Sequence, residues 1–179
     1  MKKQRISCSG IKGIVFPFYA FLFMGAFLLF SSEIFAQKVN FSGTWTFNED
    51  KSELGEGRFR GAATKLTIKQ EGNNMSIERV SQGRDGEEFT RNEKYTLDGK
   101  ECENPAFNTT RKSTVTWSED GKSLTIASAM VFERDGQERE MKSTEVLSLA
   151  DNGKTLSITS TSMSPRGEMK RTYIYDKAE

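Results

Sequence analysis

Lys65-Leu66-Thr67-Ile68-Lys69-Gln70-Glu71-Gly72-Asn73-Asn74-Met75-Ser76-Ile77-Glu78-Arg79 is the stretch that decides the fold. Leu66 and Ile68 alternate with Lys65, Thr67 and Lys69, and Met75 and Ile77 alternate in the same way around Ser76. Period-2 alternation marks strands with one buried face. Gly72-Asn73-Asn74 between them supplies residues that tolerate the positive φ of a tight hairpin turn. The same grammar recurs along the chain at Asp85-Gly86, Asp98-Gly99, Asp120-Gly121, Asp135-Gly136, Asn152-Gly153 and Pro165-Arg166-Gly167.

Working outward, strands are expected near residues 40–48, 63–71, 74–82, 87–97, 112–118, 122–133, 138–149, 154–163 and 168–176. A short tenth strand fits at 100–103, before Asn104-Pro105 breaks it. No segment has a helical period. The fold class is therefore all-β: an antiparallel up-and-down meander of eight to ten strands, expected to close into a barrel because closure removes exposed edges. The inward set is Trp45, Leu66, Ile68, Ile77, Phe89, Val115, Leu124, Ile126, Leu147, Leu156, Ile158 and Tyr173. The opposite faces carry Lys65, Lys69, Glu78, Lys94, Glu140, Lys142 and Lys170, which a lipid-facing barrel does not tolerate.

The amino terminus reads differently. Lys2, Lys3 and Arg5 precede an apolar run over 14–30 and then Ser31, Ser32 and Glu33, the layout of a secretory signal peptide. Ala36 before Gln37 is the expected cleavage point, dividing the chain into an export segment, 1–36, and a barrel domain, 37–179. A retained anchor is the alternative, since the run approaches the roughly 18 residues that span a bilayer. Cys8 precedes the apolar run, which argues against a lipid-modified cysteine. The expected location is exported, periplasmic or extracellular, without stable membrane insertion after cleavage.

Cleavage removes four of 26 basic and one of 25 acidic side chains, leaving 22 and 24. Near-neutral charge offers nothing that would attract nucleic acid. Only Cys102 remains, so no intramolecular disulfide is available, and stability must come from packing and sheet hydrogen bonds. The chain has no His, which removes His-dependent nucleophilic triads and the usual zinc sites. Cys102 lies between Glu101 and Glu103, a poor setting for a thiolate. The Asp-Gly pairs lack the spaced oxygen ladder of a calcium loop. Gly55 to Gly61 lacks the Lys-Ser/Thr ending of a phosphate loop and reads as a surface loop, although Arg58, Phe59 and Arg60 could line a barrel mouth. No cofactor or metal is expected, and no catalytic residue is assigned.

Phe41-Ser42-Gly43-Thr44-Trp45 resembles the Gly-x-Trp opening of lipocalins and fatty-acid-binding proteins, the calycin group, and Lys170-Arg171-Thr172-Tyr173-Ile174-Tyr175 resembles that group's closing strand. The resemblance brackets the whole barrel domain. It implies a lipocalin-like barrel closed at Gly43 and Trp45 by Arg171 packed over the indole, a cation–π contact on the order of 1 kcal/mol. In fatty-acid-binding proteins the closing Arg and Tyr hold a ligand carboxylate instead, so the resemblance leaves Arg171 either structural or ligand-binding. Residues 49–63 are too short for that group's two-helix lid.

Charged residues stand where alternation places the inward face. Arg79 shares parity with Met75 and Ile77; Arg91 and Glu93 lie between Phe89 and Tyr95; Glu145 lies between Met141 and Leu147; Arg171 lies between Met169 and Tyr173. Buried charge is costly unless paired. Either a bulge flips the register, or an Arg–Glu network completes the core, or Arg79, Arg91, Arg171 and Tyr173, with Glu93 and Glu145, bind a ligand. The leading functional expectation is a non-catalytic protein holding a small hydrophobic or amphipathic acidic ligand. The alternative is a protein-interaction module, an inhibitor or envelope accessory factor, acting through loops and strand faces. Glu93 and Glu145 alone do not make an acid–base pair, because nothing fixes their separation.

Terminal sequencing of exported material should find Gln37, within a residue or two, as the first residue. Intact Met1 in a membrane fraction would identify the segment as an anchor.

Overall fold

The computed structural model describes residues 37–55, 62–83, 85–106, 108–134, 136–164 and 167–178. The expected export segment, 1–36, and residues 56–61 of the glycine-rich stretch lie outside the described residues. Ten strands follow in chain order: β1 Gly43–Glu53, β2 Lys65–Glu71, β3 Asn74–Gln82, β4 Glu88–Thr96, β5 Cys102–Ala106, β6 Thr109–Trp117, β7 Ser123–Arg134, β8 Gln137–Ala150, β9 Thr155–Ser164 and β10 Gly167–Lys177. They form one sheet in the order β4-β3-β2-β1-β10-β9-β8-β7-β6-β5. All pairings are antiparallel. The meander thus curls into a nearly closed barrel whose two edges, β4 and β5, are consecutive in sequence.

Asn104 joins those edges. Its side-chain amide does what a neighbouring backbone would: Lys94 N donates to Asn104 Oδ1 at 2.7 Å and Asn104 Nδ2 donates to Lys94 O at 2.9 Å. The expectation that Asn104-Pro105 ends the tenth strand is corrected: both lie inside β5. Proline is tolerated there because β5 is an edge strand, where a missing N–H breaks no ladder.

Inward parity follows the alternation. Trp45, Leu66, Ile68, Ile77, Val115, Leu124, Ile126, Leu147, Leu156 and Ile158 form the core together with Phe41, Met75, Tyr95 and Tyr175. Two expected members differ. Tyr173 is half-buried against this core, and Phe89 keeps the inner parity of Glu93 and Tyr95 but is 52% exposed. Phe89 sits at the mouth end of β4, where few side chains reach across to cover it.

The opposite end, the base, is filled. Residues 37–42 cross it, with Val39 N donating to Gly121 O at 3.0 Å and Phe41 N to Gln70 Oε1 at 3.1 Å. Phe41 is buried and stacks on Trp117 at 6.0 Å, and Trp45 Nε1 donates to Phe41 O at 3.1 Å. The cation over Trp45 is Lys177, 5.4 Å from the ring centroid, which corrects the expected Arg171. Register explains the change: Trp45 pairs with Lys177, and Arg171 lies six residues along β10, roughly 20 Å toward the mouth. Gly43 adopts φ +150, and a Cβ there would come within 3.2 Å of Lys177 Cε. The Gly-x-Trp opening therefore leaves room for Lys177 to reach the indole.

Replacing Asn104 by Ala leaves the Lys94 N–H and C=O without their partner, at a cost of about 1–3 kcal/mol. A lower denaturation midpoint and faster exchange of the Lys94 amide, with Thr67 exchange little altered, are the expected readings. An unchanged Lys94 amide would show that the seam is held otherwise.

Candidate functional site

Halfway up the barrel the inner face changes from apolar to charged. Glu93 of β4 is the centre, with its side chain 1% exposed. Its Oε2 accepts from Arg79 Nε of β3 at 2.8 Å and from Tyr95 Oη at 3.0 Å. Its Oε1 accepts from Arg91 Nε at 2.9 Å and from Arg111 Nη2 of β6. Arg79 continues the chain across the interior, Nη2 donating to Glu145 Oε2 of β8 at 2.6 Å. Cross-strand neighbours Arg79 and Arg91 would repel each other. Glu93 prevents this by lying one inward position from both.

Burial alone would raise the Glu93 carboxyl, but the guanidinium of Arg79, then those of Arg111 and Arg91, overcome it and bring the pKa down to about 2. Burial likewise opposes the charge on Arg79, and Glu145 and then Glu93 more than restore it. Tyr95 is raised by burial and by the Glu93 charge, so it stays a phenol that donates. A carboxyl held this low is ionised at neutral pH and is no proton donor. Within this charged belt Glu93 thus serves as a fixed charge that anchors its donors.

Of the residues expected to face inward, Arg79, Glu93 and Glu145 meet directly, and Arg91 joins them from a position that leaves 42% of its side chain exposed. No register flip exposes them. Arg171 and Tyr173 stand on β10, outside the belt: Arg171 Nε donates to Leu54 O at 3.0 Å, and Tyr173 packs edge-on against Phe47 at 6.5 Å. Arg111 went unrecognised in the sequence because the strand was expected to begin at 112, three residues after the observed start of β6 at Thr109. Its parity with Ser113, Val115 and Trp117 was the available signal.

Above the belt is space. A half-open cavity of about 590 Å³ at the rim of β6, β7 and β8 is lined by Asn108, Thr109, Met130, Val131, Phe132, Glu133 and Met141. A cleft of about 40 Å³ lies against Arg111, between Ser128, Ala129, Met130, Met141 and Ser143. Cys102 is elsewhere, at the base end of β5, with Sγ 3.4 Å from Ser113 O. Among the described residues no group of three or more His, Cys, Asp or Glu is placed to hold a metal, and no helix is long and apolar enough to cross a membrane.

Glu93 has a folded pKa near 2 against 4.5 in the unfolded chain, so its stabilisation is complete above about pH 4.5 and is lost as pH falls toward 2. The amount is on the order of 3 kcal/mol. Glu93→Gln should be less stable than the parent at pH 7 by about 3–5 kcal/mol, having left three guanidiniums short of a charge. The gap should narrow on acidification, and urea titrations at pH 7 and pH 3 that show an equal gap would contradict the assignment.

No family model matches this chain, and no curated protein matches it. Among solved structures it is similar to the ileal bile acid-binding protein of zebrafish, in a crystal structure with cholic acid, at a TM-score of 0.51 and 16% identity, covering 77% of this chain and 98% of that one. A likeness at this identity speaks for architecture alone: the chain has a nearly closed antiparallel barrel with the calycin type of fold.

Proposed function

We propose that this protein is an exported, non-catalytic binding protein that holds a small hydrophobic or amphipathic acidic ligand in the upper half of its barrel. The carrying observation is the division of the barrel along its axis: a packed base, a charged belt, and a half-open cavity of about 590 Å³ at the rim whose walls include Met130, Phe132 and Met141. Volumes of roughly 300–1,000 Å³ with mostly apolar walls and a few polar groups suit a small molecule. Flexible methionines adapt to an apolar guest, and burial contributes about 25 cal/mol per Å². The zebrafish protein of similar architecture was crystallised with cholic acid, an amphipathic acid, which supports the same class of ligand here. Export rests on the basic and apolar layout of residues 1–36.

A native mass spectrum of protein recovered from outside the cytoplasm tests this reading. The expected result is an added small-molecule mass that disappears on denaturation. Trp45 and Trp117 belong to the base, so occupancy is better followed by mass or heat than by their fluorescence. Recovery of the bare chain bound to another protein would favour an interaction module instead.

A further inference from the structure

Two arginines converge on one oxygen below the mouth cavity. Arg91 Nε and Arg111 Nη2 both donate to Glu93 Oε1, while Arg79 and Tyr95 occupy Oε2. A carboxylate offers about four acceptor positions, so Glu93 is filled. Glu145 bonds Arg79. Three guanidiniums thus face two carboxylates, leaving one positive charge in excess where Arg91 and Arg111 share a single oxygen. The Arg111 Nε is buried without a hydrogen-bond partner among the described residues, and the small cleft beside it shares Met130 and Met141 with the large cavity.

We propose that this cleft is the head-group site of a medium-chain amphipathic acid, its anion on Arg111 and Arg91 with Ser128 and Ser143 beside it, and its tail rising between Met130, Met141 and Phe132. The proposal rests on the ligand-binding reading above and adds the ligand's charge, orientation and length. Charge follows from the unmatched guanidinium, which an anion neutralises. Orientation follows from the walls, since the guanidiniums lie at the floor with Met130, Met141 and Phe132 above them, and Glu133 in the upper lining would repel an anion placed there. The cleft is lined from β6, β7 and β8, with Arg91 of β4 beside it through the Glu93 oxygen that it shares with Arg111, away from Arg171 and Tyr173 on the closing strand.

Length follows from what lies underneath. Leu124, Ile126, Leu147, Leu156 and Ile158 are fully buried, so a tail cannot extend below Arg111. Met130 pairs with Arg111, and four residues separate it from the end of β7 at Arg134. That is about 14 Å of strand, the span of an alkyl tail of roughly ten carbons. Further methylenes would leave the described walls and gain nothing from burial.

Calorimetric titration of the exported protein with hexanoate, octanoate, decanoate, dodecanoate and hexadecanoate, and with decanol, tests all three claims. Affinity should rise about fourfold per methylene and level off near ten carbons. Decanoate should bind about tenfold or more tightly than decanol, the worth of a charged hydrogen-bonded pair. Arg111→Met should erase that preference while decanol still binds. Arg91→Met, at a more exposed position, should reduce it and serves if the Arg111 variant does not fold. Affinity still climbing to hexadecanoate, or decanol matching decanoate, would overturn the inference and leave the ligand-binding reading standing. No binding by any of these alkyl probes would overturn both.

Discussion

A single carboxylate buried halfway up the barrel governs the arrangement of the interior. An ionised carboxylate without partners at that depth would cost several kcal/mol. Glu93 is instead surrounded by Arg79, Arg91, Arg111 and Tyr95. These donors come from both sides of the open seam: Arg79, Arg91 and Tyr95 from β3 and β4, and Arg111 from β6. Arg79 then reaches Glu145 on β8. The network therefore ties the two ends of the sheet together through the interior, where their backbones do not meet.

The same belt divides the barrel into two storeys with different physics. Below it, alternation packs Trp45, Leu66, Ile68, Ile77, Leu124, Ile126, Leu147, Leu156 and Ile158 with Tyr95 and Tyr175, and residues 37–42 seal the end with Phe41 against Trp117. Close packing leaves no guest space there. Above it, the inward positions hold Phe89, Met141 and Met169, each partly exposed, and the walls stand apart. Since belt charges are satisfied from within the protein except for one guanidinium's worth, the floor of the upper storey is polar and rigid while its walls are apolar and adaptable. The proposed head-group and tail site draws on that division.

Edge management is the second constraint. An open ten-stranded sheet has two rows of unpaired backbone groups that invite association. Here the two edges belong to neighbouring strands in sequence and are brought together by an asparagine whose side chain copies a peptide group. Pro105 in β5 limits further ladder formation on that edge, and the exposed Glu88, Arg91 and Asn92 of β4 keep the other edge polar.

Strand positions, the hairpin turns between them and the inward parity of nearly all core residues were legible in the sequence, because each is a local property: period-2 burial and the φ tolerance of Gly, Asn and Asp act over a few residues. The Gly43-Thr44-Trp45 opening was legible too. Its partner was not, because whether Lys177 or Arg171 covers Trp45 depends on the register between strands more than a hundred residues apart. Inward charge at Arg79, Glu93 and Glu145 could be read from parity, and Arg111 was lost because the start of β6 was placed three residues late. Which of these charges meet could not be read at all. Arg79 is 14 residues from Glu93 and 66 from Glu145, and Arg111 is 18 from Glu93. Only closure of the sheet sets those distances, so the tertiary structure alone decided that the barrel is solid below the belt and open above it.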